Sequence, residues 1–249
     1  MKNVIRASFY KMFHDKALRI CLVGTAIWAL LVSVMLTWAA DGEMGLSDPW
    51  LLAKYWRDFI SYHSINIPLL TSVAVLLSAE YKDQSWRLWI AKGISQLSYY
   101  FTKLLCALTL VIMISFIAIL TGAVFGVLAL GMPMSGLFAL TMLKFFAGQC
   151  IAHMTVAVLG FTLVFLLRNG DIASCINMLL LVFGTMVLSK LEKAWELGEV
   201  LTGAWAFGQF EYATFGLGID LMRLLVVFVT YLAVCSLIAF LIATHRDVS

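Results

Sequence analysis

Charge is scarce in this chain. Lys, Arg, Asp and Glu make up 12% of its 249 residues, whereas hydrophobic residues make up 63%. A soluble domain is typically about half apolar and a quarter charged, so this composition excludes an ordinary soluble domain and predicts a membrane protein. The net charge of +3 is too small to predict binding to nucleic acid.

Several motifs that carry chemistry are also missing. The sequence has no Gly-Lys pair, and therefore no G-x-x-x-x-G-K-[ST] phosphate-binding loop. It lacks H-E-x-x-H and G-x-S-x-G as well. Its cysteines occur singly in apolar runs, at no spacing typical of a metal site or a disulfide framework. We therefore predict no catalytic residue, metal site or cofactor on this chain, and no enzymatic activity of the chain by itself.

Long apolar runs are what the sequence has in abundance. A membrane-spanning helix needs about 20 apolar residues. Six runs meet this requirement, at 17–38, 60–79, 104–130, 138–167, 172–189 and 221–244. Residues 2–16 carry an apolar stripe and basic residues elsewhere, which predicts an amphipathic helix at the membrane interface. The expected fold is all-α, with six transmembrane helices in one domain covering 1–249.

The distribution of charge predicts the orientation of these helices. One side of the predicted membrane holds 11 of the 17 basic residues: Lys2, Arg6, Lys11, Lys16, Arg19, Lys82, Arg87, Lys92, Lys103, Arg168 and Arg246. The other side holds 9 of the 14 acids: Asp41, Glu43, Asp48, Asp58, Glu192, Glu196, Glu199, Glu211 and Asp220. Since Lys and Arg concentrate in cytoplasmic loops, both termini are expected to be cytoplasmic.

Polar residues are few within the predicted spans. Apart from Glu80 and Asp220 at the margins, the spans contain no carboxylate, which disfavours an ion-coupled carrier. Gln149 and His153 lie four residues apart in the fourth span. They are expected to hydrogen-bond a neighbouring helix, with a substrate path as the second interpretation. Gly122 and Gly126 predict a close helix contact in the third span.

The segment between the second and third spans, 80–103, combines charge with aromatic residues. Trp86, Leu88 and Trp89 fall close together, and Gly93 and Ser95 break the segment before the third span. A short amphipathic helix here would either insert apolar residues into a partner's groove or rest on lipid. Both interpretations remain open on the residues alone.

A family resemblance depends on this segment. Glu80 at the end of the second span, Ser85 five residues later, the Gly93-x-Ser95 break and Lys103 opening the third span resemble the permease subunits of type-2 ABC exporters. The layout also resembles that family, including an apolar outer connection, 190–220, which forms short re-entrant helices in relatives. The chain departs from the family in having Gln96 where Arg is frequent, and in lacking a nearby Pro.

The resemblance implies a coupling helix that docks on a separate ATPase. The implied docking residues are Glu80, Ser85, Trp86, Arg87, Trp89, Gly93 and Ser95. Two ATPase subunits would carry ATP and Mg, and a second permease copy or a sister permease would complete the pathway in a bacterial cytoplasmic membrane. The small size most resembles lantibiotic- or bacteriocin-immunity and bacitracin-resistance permeases, which implies an antimicrobial peptide or another amphipathic compound as substrate.

Three other functions stay open. The chain could be a carrier or channel driven by an ion gradient. It could also be an ABC permease for sodium, haem or polysaccharide, because such permeases would share most of these features. A regulatory or scaffold protein that transports nothing is the third.

Overall fold

The structure, a computed structural model, describes residues 2–39, 66–130, 136–196, 200–213 and 220–245. Every element in these ranges is helical, in agreement with the predicted all-α class. In chain order the elements are α1 (Lys2–His14), α2 (Lys16–Ala39), α3 (Asn66–Lys82), α4 (Ser85–Ala91), α5 (Gln96–Leu130), α6 (Gly136–Leu167), α7 (Gly170–Leu179), a π-helical segment (Leu180–Gly184), α8 (Thr185–Trp195), α9 (Val200–Ala204), a 3₁₀ helix (Ala206–Ala213) and α10 (Leu221–His245).

Five helical stretches in the described residues are long and apolar enough to cross a membrane. They are Lys16–Leu36, Gln96–Leu128, Leu143–Leu167, Gly170–Trp195 and Leu221–Thr244. They give the chain the character of a membrane protein. The predicted second span, 60–79, lies partly outside the described residues, and α3 covers 17 residues. The count of six spans therefore stays a prediction.

Two helices extend furthest beyond the predicted span limits. The third span was expected to begin at 104, but α5 begins at Gln96. The fifth was expected to end at 189, but the helix continues to Trp195. Polar residues end an apolar run without ending a helix, because Gln, Lys and Glu are good helix formers. At the end of α8, the Glu192 carboxylate accepts hydrogen bonds from the N–H (2.7 Å) and the hydroxyl (2.8 Å) of Thr202.

The amphipathic helix and the first span are separate helices. α1 ends at His14, two residues before the predicted limit, and α2 begins at Lys16. Between them, the Asp15 carboxylate accepts a hydrogen bond from the N–H of Ala17 at 2.8 Å. This satisfies one of the free donors at the start of α2, so Asp15 acts as its N-cap.

α6 lies at the centre of the bundle. It contacts α3, α5, α7, α10 and the 3₁₀ helix, and 67% of its span is buried compared with 11% of the span in α10. At Gly160 an added Cβ would lie 2.9 Å from Leu70 Cδ2 and 3.2 Å from Asn177 Nδ2. The absence of a side chain there lets α3 and α7 approach α6 closely.

The π-helical segment interrupts the helical stretch Gly170–Trp195 near the connection 190–220. An added Cβ at Gly184 would lie 2.8 Å from Cζ2 of Trp205, so the indole of Trp205 packs directly on this segment. The connection is tied to α10 as well, because the N–H of Ala206 donates to the Tyr231 hydroxyl at 3.1 Å. The re-entrant character of 190–220 stays a prediction, since 197–199 and 214–219 lie outside the described residues.

Candidate functional site

The short helix α4 is set apart from its neighbours by residues with left-handed backbone. Gln84 precedes it with φ 53°, and Gly93 follows it with φ 82°. This conformation interrupts helical hydrogen bonding and is easiest for glycine. Ser95 then caps α5, because its Oγ accepts a hydrogen bond from the N–H of Ser98 at 3.2 Å. α4 is therefore a distinct seven-residue element between α3 and α5.

α4 has one side against the protein and one side exposed. Trp86 is only 6% exposed, and its ring packs edge-on against Tyr81 with centroids 6.0 Å apart. The guanidinium carbon of Arg168, which follows α6, lies 4.4 Å from the centre of the Trp86 ring. Leu88, by contrast, is 64% exposed. We call the exposed side the α4 surface, and it consists of Arg87, Leu88, Ala91 and Lys92.

Beside α4, one buried carboxylate joins three helices. Glu80 Oε1 accepts hydrogen bonds from Lys103 Nζ at 2.7 Å and Lys11 Nζ at 2.9 Å. Glu80 Oε2 accepts one from the Tyr99 hydroxyl at 2.7 Å. These residues lie on α1, α3 and α5. We call them the Glu80 cluster: Glu80, Lys11, Tyr99 and Lys103.

The centre of the Glu80 cluster is the ion pair between Glu80 and Lys103, which has little access to solvent. The side chains of Glu80 and Lys103 are 2% and 3% exposed, whereas Lys11 is 52% exposed. Burial by itself raises the pKa of the Glu80 carboxyl, but the charge of Lys103 and the hydrogen bonds outweigh it and hold the pKa below its ordinary value. The Lys103 ammonium also lies 5.9 Å from the centre of the Trp89 ring, which connects α4 to the cluster.

The predicted docking residues fall on different sides of this region. Arg87, Gly93 and Ser95 are exposed, Ser85 and Trp89 are half-buried, and Glu80 and Trp86 are buried. Trp86 thus packs inside this chain, where Arg168 and Tyr81 already cover it. Leu88 takes its place as the apolar residue available to a partner. Docking itself stays a prediction.

Sequence reasoning did not find the partners of Glu80. Lys11 is 69 residues away in the chain, and Tyr99 is 19 residues away. One signal was present, because Lys103 continues directly into an apolar run and a buried lysine needs an opposite charge. Glu80, at the end of the preceding apolar run, was the nearest acid in the sequence that adjoins an apolar run.

The polar pair Gln149 and His153 is buried on α6. His153 is 1% exposed, and its Nδ1 lies 2.9 Å from Ser115 Oγ, which joins α6 to α5. Gln149, one turn earlier, is fully buried. Such contacts hold membrane helices together. Gly122 and Gly126 are buried on α5, and the close helix contact predicted for them stays a prediction.

No three His, Cys, Asp or Glu side chains in the described ranges lie close enough to hold a metal ion. Comparison with protein-family models finds none that matches this chain. Comparison with curated proteins likewise finds no match. The Glu80 cluster and the α4 surface are therefore the features from which a function is inferred.

Proposed function

We propose that this chain is the transmembrane subunit of an ATP-driven exporter of the type-2 ABC class. Two copies of a separate ATPase subunit bind ATP and Mg and dock on residues 80–95. A second permease, identical or a sister subunit, completes the pathway. The substrate is an antimicrobial peptide or another amphipathic compound that leaves from the membrane.

The α4 surface is the observation that carries the proposal. It presents exposed Leu88 between the cations Arg87 and Lys92 on a helix that neighbouring helices hold in place. An apolar anchor with charged residues around it is the pattern of a helix that docks in a groove of a protein partner. A helix resting on lipid would bury several apolar residues on one face, whereas Ala91 is the other apolar member here.

The Glu80 cluster supports the transmission of force from that surface. Trp89 on α4 packs over the Lys103 ammonium, which in turn is paired with Glu80. Since the pair is buried and charged, separating its members is costly. A displacement of α4 is therefore passed to α3, α5 and, through Lys11, to α1. Transport driven by a separate ATPase requires such a rigid connection.

The proposal includes six spans, with α3 as part of the second, and cytoplasmic termini in a bacterial plasma membrane. Its support is the basic charge of the segments around α1 and α4, which belongs on the cytoplasmic side. The outer connection then contains α9, the 3₁₀ helix and the exposed Trp195. Aromatic residues at this level suit an amphipathic substrate.

The docking experiment uses Leu88→Asp. The chain is produced with the ATPase encoded beside it, and the ATPase recovered with the chain is quantified. We expect recovery to fall by about tenfold, because a buried interface anchor contributes more than about 1 kcal/mol. Trp195→Asp is the matched control, since Trp195 is equally exposed, 65% against 64%, but belongs to the opposite side.

Unchanged recovery with Leu88→Asp contradicts docking on α4. The carrier or channel would be favoured by a result with the unmodified chain. If no ATPase is recovered with the unmodified chain, and the chain alone moves ions or solutes in liposomes, the ABC assignment is wrong. A chain that neither binds an ATPase nor transports would be a regulatory or scaffold protein.

A further inference from the structure

The turn between α6 and α7 is short and internally ordered. Arg168 has φ 52°, which ends α6. Asn169 then caps α7, because its side-chain oxygen accepts hydrogen bonds from the N–H groups of Asp171 at 3.0 Å and Ile172 at 3.1 Å. Two residues thus separate two long helices, and a force on the turn reaches both of them.

This turn lies against α3 and has no free space there. An added Cβ at Gly170 would lie 2.5 Å from Cβ of Ser78 and 3.3 Å from the carbonyl oxygen of Ala74. α7 and α3 therefore approach closely at this position, where a larger residue than glycine would not fit. Lys82 at the end of α3 also pairs with Asp171 at 3.0 Å, but both side chains are more than half exposed and contribute little.

The turn reaches α4 through Arg168. Its guanidinium stacks over Trp86, the one buried side chain of α4. Tyr81 from α3, Tyr99 from α5 and Phe165 from α6 line the same small hollow around this pair. A cation over an indole that is shielded from water is among the stronger contacts of this kind. Trp86 therefore links α4 to the end of α6 through its contact with Arg168.

We propose that the turn at 168–171 is a second route by which movement of α4 reaches the membrane helices, with Arg168 as its positioning residue. The inference rests on the proposed function, since it names where the ATPase-driven movement goes. Movement of α4 passes through the Glu80 cluster to α3 and α5. Through Trp86 and Arg168 it passes separately to α6 and α7, so that the fourth and fifth spans move in the same step.

The test uses two labels on the complete complex with its ATPase in nanodiscs. Cys175 is exposed on α7, whereas Cys106, Cys150 and Cys235 are buried, so an environment-sensitive maleimide can report from α7 once Cys21 is replaced by Ala. A second preparation carries Leu105→Cys on α5, with both Cys21 and Cys175 replaced by Ala. Fluorescence is recorded before and after addition of ATP and vanadate.

We expect both labels to respond in the otherwise unmodified complex. With Arg168→Gln the response at Cys175 should fall, because only the contact of the turn with α3 then remains, while the response at Leu105→Cys is unchanged. Arg168→Lys keeps the cation and should restore the Cys175 response. Arg, Gln and Lys at position 168 are all subject to the same backbone conformation, φ 52°, so differences among the three proteins come from the end of the side chain. Lys190→Gln, which removes an exposed charge far along the same span, should leave both responses unchanged.

The outcomes separate the two proposals. If Arg168→Gln leaves both responses intact, the second route through the turn is refuted and the exporter assignment stands. If neither label responds in the unmodified complex, the proposed function fails and takes this inference with it. Should Arg168→Gln reduce the yield of folded protein, Trp86→Phe keeps an aromatic ring in place with a weaker cation–π face, and a full Cys175 response in that variant would also refute the inference.

Discussion

Replacing Glu80 with Gln tests the central electrostatic feature of the structure. The amide keeps the size of the side chain and removes its charge. The Lys103 ammonium, 3% exposed, then remains in the interior without its counter-charge. Breaking a buried ion pair on one side costs about 3–5 kcal/mol, because the remaining charge has lost water as well as its partner. We therefore expect Glu80→Gln to lower the free energy of unfolding by an amount in this range.

Two further variants make the explanation specific. Lys11→Gln removes the half-exposed member of the Glu80 cluster and should cost about 1 kcal/mol or less. The double variant Glu80→Gln, Lys103→Met removes both buried charges and keeps most of the length of the lysine side chain. Replacing a buried ion pair by apolar groups is often close to neutral, so we expect the double variant to recover most of the lost stability.

Denaturation by sodium dodecyl sulfate in mixed micelles, followed by circular dichroism, measures these differences. The free energies of the unmodified chain, Glu80→Gln, the single variant Lys103→Met and the double variant form a double-mutant cycle for Glu80 and Lys103. A loss below about 0.5 kcal/mol in Glu80→Gln, the range of an ordinary surface substitution, would refute the buried pair. A double variant as unstable as the sum of its single variants would refute the interaction between the two residues.

Two other substitutions test helix packing. Gly184→Ala places a methyl group against the Trp205 ring and should cost about 1–3 kcal/mol in the same denaturation assay. Trp205→Leu added to it should relieve the loss, and equal stability of Gly184→Ala and the unmodified chain would contradict the packing. Ser115→Ala removes the interhelical contact with His153 and should cost about 0.6 kcal/mol. A cost above about 2 kcal/mol would contradict this expectation and assign His153 a larger role.

The membrane helices could be predicted because their signal is local. A span needs an unbroken apolar run, and the runs 17–38 and 221–244 correspond to α2 at Lys16–Ala39 and α10 at Leu221–His245. The prediction was less accurate at the end of the fifth span. There Lys190 and Glu192 interrupt the apolar run, but the helix continues to Trp195, and the Glu192 carboxylate accepts a hydrogen bond from the N–H of Thr202.

The candidate site was predictable only as a segment. Its amphipathic composition and its breaks at Gly93 and Ser95 pointed to a short helix, which the structure has at Ser85–Ala91. The sequence could not tell which of the two tryptophans, Trp86 or Trp89, would be more deeply buried. That choice depends on the rotation of α4 about its axis, which Arg168 and Tyr81 decide by covering Trp86.

The sequence by itself determined that this chain is a helical membrane protein, where most of its helices lie, and which segment carries both charge and aromatic residues. The tertiary structure alone decided that Leu88 faces outward, that Glu80 pairs with Lys103 and Lys11, and that Arg168 meets α4. Hydrophobicity adds up along neighbouring residues and can be read locally. Pairing depends on the depth and rotation of helices far apart in the chain, and only their packing together sets these.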